Sequence, residues 1–159
     1  MTAQAQNMHV PAESGPAYWG PGDRYTFLVT GAQSGGAYFI LEAFVPPGGG
    51  PPPHIHQREE ECFYLLAGHL TMTLGDQQLT VAAGDFVQVA RGTPHTFVND
   101  GDEIARMLAI FSPAGMEHWM TEALDPALDR TATPPPATPE MIARMIAAAP
   151  HNGVEFVQR

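Results

Sequence analysis

Three histidines and one glutamate carry the chemistry that this chain is equipped to do. His54 and His56 form a His-x-His pair, Glu61 follows them closely, and His95 lies further along. Side chains in a strand alternate between faces, so the two histidines of such a pair point the same way. A straight strand through Gln57-Arg58-Glu59-Glu60 would send Glu61 to the opposite face. A turn at 57–60 resolves that parity and lets Glu61 open the next strand facing back toward the histidines. His95 sits in Gly92-Thr93-Pro94-His95, a turn that feeds another strand. Neutral imidazole nitrogen and carboxylate oxygen suit divalent first-row ions, so these four side chains are the expected ligands of one such ion: Fe, Mn, Ni, Co, Cu or Zn.

The elements that must position these residues read as short strands. Segments 24–30 (RYTFLVT) and 37–45 (AYFILEAFV) are rich in aromatic and β-branched residues, with Ser34-Gly35-Gly36 as a turn between them. The connector PPGGGPPP, 46–53, is stiff and bent and delivers the chain to His54. Further strands are expected at 61–67, 69–74, 78–81, 85–89, 96–98 and 103–111, separated by turn residues such as Gly75-Asp76 and Asn99-Asp100-Gly101-Asp102. Strands at this spacing argue for a sandwich or barrel. Ser112-Pro113 reads as a helix start leading into 115–123, and Thr138-Pro139-Glu140 as the start of an amphipathic helix over 141–149. A short strand at 154–157 closes the chain. The expected organisation is an N-terminal arm (1–23), a barrel (24–112), and a Pro-rich connector with C-terminal helices packed on the barrel (113–159).

Composition removes several function classes. The formal charge is -10, and all seven basic residues are arginines. Such a surface repels nucleic acid and anionic membranes, so neither is an expected partner. With no lysine, Schiff-base and pyridoxal phosphate chemistry are excluded. The single cysteine, Cys62, has no internal disulfide partner. No signal peptide and no apolar run long enough to cross a bilayer are visible, so a cytoplasmic location is expected.

Two spaced motifs resemble a known family. Gly48-x5-His54-x-His56-x4-Glu61-x6-Gly68 resembles the first motif of the cupin superfamily. Gly84-x5-Ala90-x-Gly92-x2-His95-x3-Asn99 resembles the second, with Ala90 where the family usually has proline, a departure in a turn and not at a ligand. The glycines Gly68, Gly84 and Gly92 fall where tight turns need positive φ or close backbone approach. The segment 61–68, the Phe111-Ser112-Pro113-Ala114-Gly115-Met116-Glu117 junction and the Pro-rich helical tail are similar to the single-domain, quercetin-dioxygenase-like cupins. The resemblance implies an all-β fold: one cupin barrel (a double-stranded β-helix, or jelly roll) with a C-terminal helical tail. It also implies a metal inside one mouth of the barrel, held by His54, His56, Glu61 and His95, and a homodimer paired through edge strands.

Four protein ligands leave positions for water, O2 or a chelating substrate. Glu61 can bind the ion, or swing off and take a proton from an enol or phenol hydroxyl. The leading expectation is a dioxygenase for a flavonol-like or other enolisable aromatic small molecule, with Glu61 catalytic and O2 as co-substrate. The alternatives are an isomerase, cyclase or lyase that uses the ion as a Lewis acid without O2, and a non-catalytic small-molecule-binding cupin. Phe63, Leu65, Met72, Met107 and Phe111 are candidate pocket residues. The remaining histidines, His9, His69, His118 and His151, read as surface or packing residues. Glu59 and Glu60 read as a solvated loop face, Cys62 as a packing residue turned away from Glu61, and Met141 and Met145 as helix packing. Trp19 and Trp119 are expected to cover the barrel or a dimer contact.

Overall fold

A computed structural model describes residues 4–157. The first three residues of the expected arm and the last two of the expected tail lie outside it. Among the described residues twelve strands build two antiparallel sheets. They are β1 (Ala17–Trp19), β2 (Arg24–Val29), β3 (Phe39–Val45), β4 (His54–His56), β5 (Glu60–Ala67), β6 (His69–Leu74), β7 (Gln77–Ala82), β8 (Phe86–Val89), β9 (His95–Val98), β10 (Ala105–Ser112), β11 (Asp125–Pro126) and β12 (Val154–Phe156). The larger sheet runs β11-β1-β2-β3-β10-β5-β8 and the smaller β12-β4-β9-β6-β7.

The period-2 pattern of the sequence becomes the inside and outside of the barrel. In β3 every second residue, Phe39, Leu41, Ala43 and Val45, is buried, and β10 does the same with Ala105, Met107, Ala109 and Phe111. These side chains meet Phe63, Leu65, Leu70, Met72 and Phe97 from the other strands in one continuous core. Burial of that apolar surface is the main drive for closing the two sheets on each other.

Three local expectations change. Ser34-Gly35-Gly36 is not a plain turn: Gly31–Ser34 forms a one-turn helix, α1, and Gly35 terminates it in the left-handed conformation. The Gln33 side chain closes its start by accepting from the Thr30 N–H at 2.8 Å. Ser112 does not cap a helix, because it still pairs with Glu60 as the last residue of β10 and its hydroxyl donates to the Ala37 carbonyl. The helix, α2, spans Met116–Ala123 and starts after Gly115. Residues 17–19 of the expected arm form β1, seated between β2 and β11, where Trp19 packs with Ala17 and Ala127.

The tail covers the barrel. Helix α3 (Pro139–Ala148) is capped by Thr138, whose hydroxyl accepts from the Met141 N–H at 3.2 Å, with proline at its start. Trp119 on α2 donates its indole N–H to the Met145 carbonyl on α3 at 3.2 Å, tying the two helices together. The chain then turns and enters β12, which pairs antiparallel with β4, the strand of the two histidines. No helix among the described residues is long and apolar enough to cross a membrane.

Candidate metal centre

The four sequence-predicted ligands converge on one point between the sheets. His54, His56, Glu61 and His95 are all buried, and their ligand atoms lie within 4.8 Å of one another. Register explains how. His54 pairs directly with His95 across β4 and β9, so their imidazoles lie side by side with ring centroids 4.3 Å apart. Glu61 comes from the opposite sheet, where it pairs with Val89 on β8 and with Phe111 on β10. The cluster therefore bridges both walls of the barrel. The turn after His56 restores the parity of Glu61, as the residue spacing requires.

The backbone holds two of the three histidines, His54 and His95, by their Nδ1 atoms. Pro52 and Thr93 carbonyls each accept from the Nδ1–H two residues on, of His54 and His95 respectively, both at 2.8 Å. Nδ1 thus carries a proton in both, and Nε2, which faces the cluster, is the atom that would bind an ion. The connector before His54 runs against β9: a Cβ on Gly50 would stand 2.0 Å from the Phe97 carbonyl oxygen, so only glycine passes there. Asn99, the last residue of the second motif, is a fastener: its amide donates to the Val45 and Glu103 carbonyls, each at 2.7 Å.

The donor set fits a divalent cation. Glu61 Oε2 lies 2.8 Å from His95 Nε2 and 3.1 Å from His56 Nε2. Among the described residues neither ring nitrogen of His56 has a hydrogen-bond partner, the Nε2 contact with Glu61 lying outside hydrogen-bonding geometry. A buried imidazole left unpaired is costly, and a metal at Nε2 meets that need. Burial, reinforced by the neighbouring His95 and His56, pushes the His54 imidazole down to about 3, which keeps it neutral, the form a metal requires. Burial alone would raise Glu61, but His56 and His95 outweigh it and hold the carboxyl well below the usual carboxylate range. His95 is opposed by burial, yet its bond to Glu61 and that residue's charge leave its pKa raised. The ligand-type residues, the Nδ1 anchoring of His54 and His95 and the unpaired His56 nitrogens all fit one first-row transition ion.

The cluster forms the polar end of an apolar cavity enclosing about 50 Å³. Of the expected lining residues, Phe63, Met107 and Phe111 face it, whereas Leu65 and Met72 are buried in the core away from it. The helices and β12 contribute Met116, Trp119, Met120, Met145 and Phe156, and β2 contributes Tyr25. Met116, Trp119 and Met120 follow helical spacing, and Tyr25 shares the inward face of β2 with Phe27, so both signals were present as periodicity. Trp119 thus covers the barrel mouth. Met145 does more than pack helices.

One expectation about the carboxylates fails. Glu60 is exposed, but Glu59 is only 2% exposed and its Oε2 has no partner among the described residues. The turn that corrects the parity of Glu61 folds Glu59 inward beside Gly115, whose hypothetical Cβ would lie 3.1 Å from Glu59 Oε1. Burial raises the pKa of Glu59, and the nearby His56 opposes it. Cys62 faces away from the cluster and is half-buried, and His9, His69, His118 and His151 are all exposed.

Two sheets closed around a histidine-carboxylate cluster define a β-barrel protein with the architecture of a metal-binding jelly roll. A cupin-domain profile matches residues 41–111, and the chain belongs to the cupin family. It is 33% identical over 109 residues to the polyketide synthase CurC of Streptomyces cyaneus, covering 64% of this chain and 69% of that protein. It is 28% identical over 117 residues to quercetin 2,3-dioxygenase of Bacillus subtilis, covering 67% of this chain but only 34% of the relative. Among solved structures, KdgF from Halomonas sp. superposes with a TM-score of 0.63 at 17% identity, over 72% of this chain and 99% of that one. That likeness concerns the fold alone.

Proposed function

We propose that this protein is a metal-dependent dioxygenase that acts on a small enolisable substrate. The observation that carries the reading is the placement of His54, His56 and Glu61, clustered with His95, in the wall of an otherwise apolar cavity. A divalent ion held by these residues supplies Lewis acidity to a chelating enol and, when redox-active, access to O2 chemistry. Glu61, held well below the usual carboxylate range, accepts a proton only from a hydroxyl that has been strongly acidified. His54 and His95 stay oriented because the Pro52 and Thr93 carbonyls hold their rings. Phe63, Phe97, Met107 and Phe111 keep bulk water away from a reactive carbanion.

The cavity also speaks to substrate size. At about 50 Å³ it holds a few waters and is far below the ~300 Å³ at which pockets for drug-sized ligands begin. A one-ring enol enters if Met116, Met120 and Met145 change rotamer, which flexible methionines do readily. A three-ring flavonol requires α2 and α3 to move outward. The test is O2 uptake by metal-reconstituted protein with one-ring and three-ring enols, run beside anaerobic controls. Uptake in step with substrate loss supports the dioxygenase; turnover without O2 refutes it.

The similarity to the polyketide synthase CurC favours a second reading. Polyketide chains carry β-dicarbonyl groups that enolise and chelate metals, so the same site would serve a Lewis-acid cyclase or isomerase, and anaerobic turnover would establish that. For assembly we propose a homodimer, because β8 and β7 are sheet edges and Phe86 on β8 is 58% exposed. Light scattering showing a monomer would refute it. A cytoplasmic location is part of the same proposal, tested by fractionation.

A further inference from the structure

The cavity wall includes one hydroxyl-bearing side chain that the metal reading leaves without a role. Tyr25 lines the cavity from β2, and it is the sole side-chain O–H in that lining. The other polar group outside the ligand cluster, the Trp119 indole N–H, is already committed to the Met145 carbonyl. Tyr25 donates its hydrogen to Asp23 Oδ2 at 2.8 Å. Asp23 is completely buried, and its second oxygen, Oδ1, has no partner among the described residues.

This pair is costly to maintain and specially accommodated. A buried carboxylate with an open oxygen destabilises a fold unless some other requirement keeps it. The chain makes room for it at Gly20, where a Cβ would stand 2.0 Å from Asp23 Oδ1 and 2.5 Å from Tyr25 Cε2. The turn is closed by the Gly20 N–H donating to the Asp23 carbonyl at 2.9 Å and the Gly22 N–H donating to the Gly20 carbonyl at 2.8 Å. A turn needed only to join β1 to β2 has no use for a buried acid. A phenylalanine would fill the wall equally well.

We propose that Tyr25, oriented by Asp23, is a second polar anchor in the cavity and accepts a hydrogen bond from a hydroxyl on the bound molecule. With its own hydrogen given to Asp23, the phenolic oxygen presents lone pairs. The ligand class that follows is a small planar molecule with two features: an enol–carbonyl or phenolic oxygen pair that reaches the histidine-carboxylate cluster, and a separate hydroxyl that reaches Tyr25. Asp23 is the positioning residue, since it fixes the rotation of the phenolic O–H. The assignment rests on the proposed metal site and narrows what that site accepts.

The test uses binding rather than turnover. Kojic acid and allomaltol share the same chelating hydroxypyranone; allomaltol has a methyl where kojic acid has a hydroxymethyl. Both are titrated into cobalt-loaded protein and followed by visible absorption. Tyr25→Phe should weaken kojic acid by about tenfold, the effect of one lost hydrogen bond, and leave allomaltol within about twofold. Asp23→Asn/Tyr25→Phe removes the charge that Tyr25→Phe would strand and should show the same selective loss. Equal effects on both chelators, or none on either, would overturn the Tyr25 assignment while leaving the metal site standing. If neither chelator binds the wild-type cobalt protein, the chelate-binding reading and this inference both fall.

Discussion

Replacing Asp23 with asparagine should make the protein more stable at neutral and alkaline pH, and the gain should depend on pH. Burial raises the Asp23 carboxyl from 3.8 to about 7, although its hydrogen bond from Tyr25 opposes the rise. A carboxyl whose folded pKa is raised binds its proton more tightly in the native state. Its contribution is therefore full below about pH 4, declines as pH rises, and is lost once pH passes about 7. A rise from 3.8 to about 7 corresponds to roughly 4 kcal/mol at most, of which about 3 kcal/mol falls between pH 4.5 and pH 8. Asparagine carries no charge at either pH and still accepts from Tyr25. Urea denaturation of metal-stripped wild type and Asp23→Asn at both pH values gives the difference directly, and contributions of all other titrating groups cancel in it. The stability gained by Asp23→Asn should be larger at pH 8 by 1–3 kcal/mol, the lower bound allowing for relaxation around the charge. The same difference at both pH values would refute the argument that Asp23 is an uncompensated buried acid.

Other consequences can be checked alongside. Glu61→Gln should lower turnover by at least about a hundredfold on any enol that proves to be a substrate, with circular dichroism unchanged, because in the proposed reaction it would remove both a ligand charge and the proton acceptor; an unchanged rate would remove Glu61 from the chemistry. Val154→Ala removes a 4%-exposed side chain opposite His56 in β12; it should cost about 1–2.5 kcal/mol in urea denaturation and weaken metal retention against a chelator. Trp119→Ala opens the lid side of the cavity at a cost of about 3–5 kcal/mol, and chelator titrations should then show larger enols gaining affinity relative to small ones.

The parts of this molecule that could be read in the chain are those fixed by local rules. His-x-His on a strand has one possible parity, and the turn that brings Glu61 back was required by the odd offset between them. Thr138-Pro139 announced α3 because an N-cap oxygen and a proline at the start satisfy the free N–H groups of the first turn. What escaped depends on distant partners. Ser112-Pro113 carries the same local signal as Thr138-Pro139, yet Ser112 stays in β10 because Glu60 pairs with it. Glu59 looks like any loop acid, and only the path of the turn buries it. Tyr25 had the right periodicity, but nothing in the chain says that its hydroxyl would meet Asp23 at a cavity wall. The strand 154–157 was visible as a strand, but its place beside the two histidines was not.

That last pairing has a consequence for how the protein is made. Gln57 and Glu155, which hydrogen-bond across the β4–β12 junction, lie 98 residues apart in the chain. A ribosome therefore extrudes His54, Glu61 and His95 well before the strand that fastens the His54–His56 segment in place. During that interval β4, which carries His54 and His56, is an unpaired edge of its sheet, while Glu61 and His95 sit on strands with partners of their own. Two of the four proposed ligands therefore gain their last backbone partner only once residues near 156 have been made and pair with β4.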